Sequence, residues 1–288
     1  GFFSQRMNQL TCNARYMDEV ERVLYNNVLT GVSLSGDKYT YQNPLNTDKP
    51  DRWEWHVCPC CPPMFLKIMA AMPGYIYAYQ GDNVYVNLFI GSEVRIPVGD
   101  NSVRLKQLTS YPWHGAVSIQ VNPDKASTFS MKVRIPGWAQ GTENPYDLYQ
   151  SNLKAPVKLK VNQEDVLLRI VDGYAEINRE WKKGDHIELE LPMQPRLITA
   201  NKAVENLRGQ VALASGPIIY CFEDADNPEL QTFKLQAQTP LELSHDSNLL
   251  NGVNIIKCQG DIPAKAIPYY AVANREESHS YKVWIPQK

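Results

Sequence analysis

The sequence predicts a mixed, mainly β fold in which the helices are confined to the N-terminal part of the chain. Apolar residues recur with the helical period of about 3.6 up to Ala71, and from Tyr75 onward they alternate at every second residue. Beyond that change, Gly, Pro, Asn and Asp interrupt the apolar runs at roughly 8–12-residue intervals, a spacing typical of β-sandwiches. These observations predict three consecutive regions: a helical one over residues 1–78 and two β-rich ones over residues 79–200 and 201–288.

Composition and charge exclude several classes of protein. Of the 288 residues, 43% are hydrophobic and 21% are charged, which is ordinary for folded domains and excludes a disordered chain. Lys+Arg number 29 and Asp+Glu 31, so the net charge is -2 and no basic excess is present to neutralise phosphate groups. No apolar run approaches the roughly 20 residues of a membrane-spanning helix. We therefore expect neither a nucleic acid nor a membrane as a partner.

The first part of the chain predicts helices. The segment up to about residue 30 predicts two helices, with Asn13 as the N-cap of the second. Glu19 and Glu21 fall outside the apolar stripe of that second helix, so we expect them to face solvent. The segment 65–71 predicts a further helix, which Pro73 ends.

The rest of the chain predicts β-strands. Tyr75–Tyr79 and Val84–Ile90 flank a Gly-Asp-Asn turn and predict a β-hairpin. Alternating apolar residues predict the strands Val103–Leu108, Ala116–Val121, Thr128–Ile135, Val157–Val161, Val166–Ile170, Tyr174–Asn178, His186–Leu191 and a second β region from Val211. Several large or reactive side chains of this part fit a packed core better than a site: Trp113, His114, Trp138, Trp181, Cys221 and Cys258. His245 and His279 lie among polar residues and are expected at the surface.

Three of the six cysteines lie within four residues, between prolines. Cys58, Cys60 and Cys61 follow His56, and six cysteines are too few for a disulfide scaffold of this length. Thiolates are both soft metal ligands and strong nucleophiles, so this clustering predicts a thiolate site or a zinc site. A structural zinc ion needs four ligands, and the local residues do not supply them without help from elsewhere. Buried structural cysteines are the alternative interpretation.

The cluster and its surroundings resemble glycoside hydrolase family 127, the β-L-arabinofuranosidase-like enzymes. The similarity runs in order along nearly the whole chain. It is carried by Tyr16-Met-Asp-Glu-Val-Glu-Arg-Val-Leu-Tyr-Asn26, Tyr41-Gln-Asn-Pro-Leu45, Cys58-Pro-Cys-Cys-Pro-Pro63, Pro73-Gly-Tyr-Ile-Tyr-Ala78, Val84-Tyr-Val-Asn-Leu-Phe89, Tyr111-Pro-Trp-His-Gly115, Arg134-Ile-Pro-Gly-Trp-Ala139, Trp181-Lys-Lys-Gly-Asp185, Gly216-Pro-Ile-Ile-Tyr220 and Ala266-Ile-Pro-Tyr-Tyr-Ala-Val-Ala-Asn-Arg275.

The resemblance implies the end of an (α/α)6 barrel followed by two β-sandwich domains. It also implies a retaining glycoside hydrolase in which Cys60 is the nucleophile, Cys61 is a zinc ligand and Cys60 is close enough to share the zinc ion. Tyr41 would lie near the sugar or the nucleophile, although packing under its loop is an equal alternative. The implied cofactor is zinc, and the implied partner is an oligosaccharide or glycan.

Parts of the family pattern are missing from this sequence. A Glu-Thr-Cys segment and an upstream glutamate that would act as general acid/base have no match, and Leu10-Thr-Cys12 imitates that segment only superficially. Met64 stands where the family often has a small polar residue. We therefore expect half of an active site here, to be completed by an N-terminal part of the same protein that precedes Gly1.

Two functions from different classes follow from this reasoning. The first is a retaining glycoside hydrolase acting on β-L-arabinofuranosyl or a related branch sugar of plant polysaccharide such as pectin. The alternative is a non-catalytic carbohydrate-binding β-sandwich protein with a structural zinc-cysteine site. A redox protein using the Cys-x-Cys pair is less consistent, because no βαβ pattern surrounds the cluster.

Overall fold

The computed structural model describes residues 1–55, 57–260 and 262–288; the sequence-derived suggestion about His56 lies outside them. The described residues form four α-helices: α1 (Phe2–Thr11), α2 (Arg15–Val23), α3 (Cys61–Ala71) and α4 (Pro73–Ile76). Short π and 3-10 turns occur at Leu24–Val28, Leu29–Gly31, Gly137–Gln140, Pro145–Asp147, Glu205–Leu207 and Tyr269–Ala271.

Strands make up most of the remaining regular structure. In chain order they are β1 (Asn46–Thr47), β2 (Tyr77–Gln80), β3 (Asn83–Val86), β4 (Ser92–Val98), β5 (Asn101–Thr109), β6 (Ala116–Pro123), β7 (Ser127–Arg134), β8 (Tyr149–Ser151), β9 (Lys158–Val161), β10 (Glu164–Asp165), β11 (Ile170–Val171), β12 (Tyr174–Trp181), β13 (Asp185–Glu190), β14 (Arg196–Ala200), β15 (Gln210–Ser215), β16 (Ile218–Glu223), β17 (Glu242–Asp246), β18 (Val253–Gln259), β19 (Pro263–Pro268), β20 (Tyr281–Lys282) and β21 (Ile285–Pro286).

The junction between the first two helices follows from two local signals. Cys12 ends α1 in the left-handed conformation, with φ 52°, and its N–H donates to the Asn8 carbonyl at 2.7 Å. Such a cap satisfies one of the carbonyls that a helix end leaves without an intrahelical partner. The Asn13 side chain then accepts a hydrogen bond from the Arg15 amide at 3.1 Å, which confirms the predicted N-cap of α2.

The first compact unit of the chain is a β-sandwich with helical residues attached. It comprises residues 1–21, 70–140 and 154–193. One of its sheets has six antiparallel strands in the order β10-β9-β13-β6-β5-β4. The other has five strands in the order β11-β12-β7-β3-β2, and only its β3–β7 pair is parallel. Alternate residues such as Val103 and Leu105 on β5 are fully buried, as expected for strands with one face on a core.

Residues of α1 and of the turn after it pack on the five-stranded sheet. Ala14, Tyr85 and Tyr174 form a buried cluster there. The Tyr174 hydroxyl accepts a hydrogen bond from the Asn8 side chain at 2.9 Å and donates one to Asn87 Oδ1 at 2.6 Å. Each buried polar group in this contact therefore has a partner, which removes the cost of burying it.

The expectation that Glu21 faces solvent is wrong. Its carboxylate is buried and accepts hydrogen bonds from the Arg134 guanidinium, the Tyr111 hydroxyl and the Trp138 indole. Asp18, one turn earlier on α2, binds the same guanidinium at 2.7 Å. Helical periodicity marks this polar side of α2 correctly, but the buried cation that neutralises it comes from β7, more than a hundred residues later in the chain.

The second compact unit comprises residues 22–69, 141–153 and 194–288. Its main sheet follows the order β17-β18-β19-β16-β15-β14-β8, with β1, β20 and β21 attached beside it. Two strands share one edge of β16: β19 pairs with Tyr220 and Cys221, and β20 pairs with Phe222 and Glu223. The sheet therefore divides along β16.

The predicted fold class, mainly β with helices at the N-terminus, is confirmed. The predicted hairpin is present as β2 and β3, but it starts at Tyr77 because the residues just before it form α4. Trp138, Trp181, Cys221 and Cys258 are buried and His245 and His279 are exposed, as expected. The expectation that His114 is packed in a core is wrong, because His114 is exposed, and Trp113 is half-buried. None of the described helices is both long and apolar enough to cross a membrane. The division into the regions 1–78, 79–200 and 201–288 stays a prediction.

Candidate active site

The cysteine segment forms a tight turn that leads into α3. The Cys60 amide donates to the Cys58 carbonyl at 2.9 Å, and the Cys60 carbonyl accepts the amide of Met64 at 3.4 Å. Cys60 thus occupies the position just before the first helical residue, Cys61. Cys58 and Cys60 are exposed, Cys61 is half-buried, and none of the three is in a disulfide.

Two prolines make the start of α3 rigid. Pro62 and Pro63 lie in its first turn, where amide hydrogens have no intrahelical partner and their loss costs little. Their fixed φ angles suit the helix and narrow the conformations open to the residue before each of them. The prolines therefore restrict the backbone of Cys61, while Cys60 is held by the hydrogen bonds of its own amide and carbonyl.

The donor set at this turn fits part of a zinc site. Sulfur is a preferred ligand of zinc, and Cys60 and Cys61 are consecutive. Among the residues that the structure describes, no group of three or more His, Cys, Asp or Glu side chains is arranged to hold a metal ion. A zinc ion bound by Cys60 and Cys61 would need further ligands from outside the described residues.

Tyr41 lies in an exposed loop and stacks on Trp53. The two rings are nearly parallel, with an interplanar angle of 12° and centroids 5.8 Å apart. Tyr39, two residues earlier, pairs with Trp53 through both backbone hydrogen bonds, at 2.9 and 2.8 Å. Tyr41 is 46% exposed, whereas Tyr39 is buried beneath the pair. This exposure speaks against core packing of Tyr41, and its place near the sugar or the nucleophile stays a prediction.

The loop that carries Tyr41 is fastened at its far end. The Pro44 carbonyl accepts hydrogen bonds from the hydroxyls of Tyr269 and Tyr281, at 2.9 and 2.8 Å. The Asn46 side chain accepts the amides of Val283 and Trp284. Burial raises the pKa of Tyr281 to about 12, so its hydroxyl stays protonated and able to donate at neutral pH.

Arg52 fastens the strand-like segment next to Trp53. Its guanidinium donates to the carbonyls of Thr30, Val272 and Ala273, at 2.8 to 3.2 Å. Burial lowers the pKa of Arg52 from its ordinary value, but an arginine remains charged at neutral pH. The Ala273 amide in turn donates to the buried Glu223 carboxylate at 2.6 Å. Sequence reasoning missed Arg52 because its partners Val272 and Ala273 lie far away in the sequence. It missed Trp53 because the local pattern does not show that this residue pairs with Tyr39 across the loop.

The structure therefore presents two local arrangements: a cysteine turn at the start of α3, and an aromatic pair on an anchored loop. Three consecutive family models now place them in a protein class. Residues 1–74 match the model for the β-L-arabinofuranosidase GH127 catalytic domain, residues 83–193 the GH127 middle domain, and residues 195–286 the glycoside hydrolase family 127 C-terminal domain. The chain belongs to glycoside hydrolase family 127.

Individual relatives agree with this assignment. A non-reducing end β-L-arabinofuranosidase of Bifidobacterium longum subsp. longum is 29% identical over 324 residues, which cover 95% of this chain and 46% of the relative. The crystal structure of a GH127 β-L-arabinofuranosidase from Geobacillus stearothermophilus T6 superposes with a TM-score of 0.90 at 33% identity, over 100% of this chain and 48% of that one. A further GH127 β-arabinofuranosidase superposes with a TM-score of 0.93 at 34% identity, over 99% and 48%. The chain thus spans about half the length of these relatives.

Proposed function

We propose that the protein containing this chain is a retaining glycoside hydrolase that acts on β-L-arabinofuranosides, with Cys60 as its nucleophile. The observation that carries the proposal is the cysteine turn at the start of α3, inside the region that matches the GH127 catalytic domain. An exposed cysteine held at a fixed place on a rigid backbone is suited to attack a bound substrate. Relatives named as β-L-arabinofuranosidases supply the substrate class.

The proposed chemistry has two balanced steps. In the first, the Cys60 sulfur forms a bond to the anomeric carbon while the bond from that carbon to the leaving oxygen breaks. The leaving oxygen takes a proton from a general acid, which we propose lies outside this chain. In the second, water attacks the same carbon and gives a proton to the group that acted as the acid, which now serves as the base. The carbon–sulfur bond breaks, Cys60 returns to the thiolate, and the sugar is released with its original configuration. The acid and the remaining ligands would come from a part of the protein that precedes Gly1.

Zinc is the proposed cofactor, held in this chain by Cys61 with Cys60 beside it. When bound there it would stabilise sulfur as thiolate at neutral pH. We expect the intact protein to contain one zinc ion, measured by elemental analysis, and Cys61→Ser to lose it. Full retention of zinc in Cys61→Ser would show that Cys61 is not a zinc ligand.

The decisive experiment compares two cysteines of the same turn in the full-length protein. Cys60→Ala should abolish hydrolysis of a chromogenic β-L-arabinofuranoside, whereas Cys58→Ala, equally exposed and two residues away, should retain most of it. A slow substrate or a cysteine-directed sugar epoxide should leave a glycosyl adduct on Cys60, detected by peptide mass spectrometry. A label on a carboxylate, or near-normal turnover by Cys60→Ala, would refute the proposal that Cys60 is the nucleophile.

For the natural substrate we propose a range of sugars and not a single one. We propose an L-arabinofuranosyl or related branch sugar of a plant polysaccharide such as pectin. Release of sugar from such polymers, followed by chromatography, tests this choice. If the wild-type protein binds these glycans and hydrolyses none, the non-catalytic carbohydrate-binding alternative is correct instead.

A further inference from the structure

Cys58 is an exposed cysteine that the proposed mechanism does not use. It lies two residues before Cys60, and both side chains are exposed. Cys61, the third cysteine of the turn, is half-buried and is the first residue of α3. The other cysteines of the second compact unit, Cys221 and Cys258, are buried. Within this unit, Cys58 and Cys60 are therefore the cysteines that a small reagent in solution reaches most easily.

The backbone brings Cys58 and Cys60 close together. The Cys60 amide donates to the Cys58 carbonyl at 2.9 Å, which closes a three-residue γ-turn around Pro59. The proline ring fixes φ near about −65°, close to the roughly −75° found at the centre of the common, inverse form of this turn. The sequence Cys-Pro-Cys therefore favours the turn locally.

The separation of these two residues suits a disulfide. An extended chain spans at most about 3.6 Å per residue, so two steps span at most about 7.2 Å, and a closed turn is shorter. Disulfides join residues whose Cα atoms are roughly 4.4–6.8 Å apart. Cys60 and Cys61 do not meet this condition, because the Cα atoms of consecutive residues are only about 3.8 Å apart. Cys58 also lies outside the helices and strands, so it can adjust towards Cys60 without distorting either.

A disulfide in this position should be easy to reduce again. Exposed or strained disulfides have more oxidising reduction potentials than buried structural ones, so thiols reduce them readily. A bond between Cys58 and Cys60 would be exposed and would close a very short ring. Oxidation of this pair is therefore expected to be reversible.

We infer that Cys58 is a resolving cysteine, which forms a reversible disulfide with Cys60 when a peroxide oxidises the protein. This inference rests on the proposed function, because the disulfide stops hydrolysis only if Cys60 is the nucleophile. A site that admits a sugar to Cys60 also admits the smaller peroxide. The disulfide switches hydrolysis off and protects Cys60 from irreversible oxidation to the sulfinic acid.

The oxidation has two balanced steps. In the first, the Cys60 sulfur attacks one oxygen of hydrogen peroxide, the oxygen–oxygen bond breaks, and the other oxygen leaves as water with the proton of the thiol. Cys60 is then a sulfenic acid. In the second, the Cys58 sulfur attacks the Cys60 sulfur, the sulfur–oxygen bond breaks, and the hydroxyl group leaves as water with the proton of Cys58. The two thiols lose two electrons, which reduce the peroxide to water.

The first test locates the disulfide in the full-length protein. After treatment with hydrogen peroxide, the remaining thiols are blocked with iodoacetamide in urea, and the thiols that dithiothreitol then releases are labelled with N-ethylmaleimide. Peptide mass spectrometry should find N-ethylmaleimide on Cys58 and Cys60 and iodoacetamide on Cys61. A zinc ion at Cys60 would compete for its sulfur, so a chelator should speed the reaction. No disulfide with or without chelator, or one that joins Cys60 to Cys61, would overturn the inference.

The second test follows hydrolysis of the chromogenic β-L-arabinofuranoside. In the wild-type protein, peroxide should abolish hydrolysis and dithiothreitol should restore most of it. Cys58→Ala should resemble the wild-type protein before treatment but should not recover, because its Cys60 has no resolving thiol and is oxidised further. Cys12→Ala removes a half-buried thiol outside the turn and should recover like the wild-type protein. Equal recovery in Cys58→Ala and the wild-type protein would overturn the inference.

The failure of the proposed function gives a different result. If the disulfide forms and hydrolysis continues unchanged, the pairing of Cys58 with Cys60 is supported and Cys60 is not the nucleophile. If the wild-type protein hydrolyses no arabinofuranoside, the glycosidase proposal fails and the labels alone decide the pairing. If peroxide stops hydrolysis and no disulfide is found, the pairing is overturned and the proposed function is not.

Discussion

Arg134 and Glu21 form a buried ion pair, with Nη2 and Oε1 2.5 Å apart and side-chain exposures of 0% and 2%. The pair joins β7 to α2, two elements that are separated by more than a hundred residues in the sequence. Asp18 binds the same guanidinium from one turn away, so one cation faces two carboxylates. The Tyr111 hydroxyl and the Trp138 indole complete the hydrogen bonds of Glu21.

Removing the charge of Glu21 should destabilise the fold strongly. Glu21→Gln leaves Arg134 buried with Asp18, whose side chain is 21% exposed, as its remaining charged partner. Breaking a buried pair in this way costs about 3 kcal/mol or more of unfolding free energy. Scanning calorimetry should show a clearly lowered Tm. Glu205→Gln is the matched control, because Glu205 pairs with Arg208 at the surface and such pairs contribute little. Equal Tm values for the two variants would contradict this account.

The same cluster should make stability depend on pH. Burial, followed by the nearby Glu21 charge, raises the pKa of Asp18 from 3.8 to about 6 despite its contact with Arg134. The folded protein therefore binds a proton that the unfolded chain releases between these pH values. The stabilisation is fully present below pH 3.8 and is lost as the pH rises through about 6. Asp18→Asn mimics the protonated form, so its Tm minus that of the wild-type protein should increase from pH 4 to pH 7. A constant difference would show that Asp18 titrates normally.

Gly115 should tolerate no side chain. A Cβ atom at this position would lie 2.0 Å from the Leu191 carbonyl oxygen, and the Gly115 carbonyl accepts the Leu191 amide, so neither backbone segment can move away freely. Gly115→Ala should cost about 1–3 kcal/mol of unfolding free energy, the usual range for overpacking. Gly91→Ala has open space around its Cβ and should leave the Tm nearly unchanged. A Tm for Gly115→Ala that matches the wild-type value would mean that the two segments separate more easily than the structure indicates.

The cysteines should divide into two groups by reactivity. Burial raises the pKa of the Cys258 thiol to about 12 and that of Cys221 well above its ordinary value, so both lack thiolate at neutral pH as well as access to reagent. Iodoacetamide should label the exposed Cys58 and Cys60 and leave Cys221 and Cys258 unmodified until the protein is denatured. Peptide mass spectrometry over time provides the measurement, with urea-treated protein as the control. Comparable labelling of all four in the native protein would refute the predicted burial.

Local sequence signals predicted local structure well. Asn13 caps α2 as its position indicates, and the hairpin of β2 and β3 flanks the expected turn. The third helix was also expected, but it starts at Cys61 and not at Phe65. These features depend on neighbours within a few residues, which any single sequence displays. The buried cysteines of the second β region follow in the same way from the apolar residues around them.

Features made by distant residues could not be predicted. The charge on Glu21 suggested that its side chain faces solvent. Its buried partner Arg134 belongs to a strand that the helix pattern does not reveal. The contacts of Trp53, its pairing with Tyr39 and its stacking on Tyr41, become visible only in the structure. For the candidate site, the cysteine turn was visible as a cluster of sequence neighbours. The role of Cys60 rested on the family resemblance and stays a prediction.

The order in which the chain leaves the ribosome has a consequence for how this part of the protein matures. The two compact units are interleaved: the first needs three separate stretches ending at Met193, and the second needs residues from Arg22 to Lys288. Some strands are synthesised well before the strands with which they pair, since β1 pairs with β20 and β8 pairs with β14. Residues 1–21 therefore lack their partners until the stretch that ends at Met193 has emerged, and β1 lacks its partner until β20 has emerged. During that interval their apolar residues are exposed to chaperones and to aggregation.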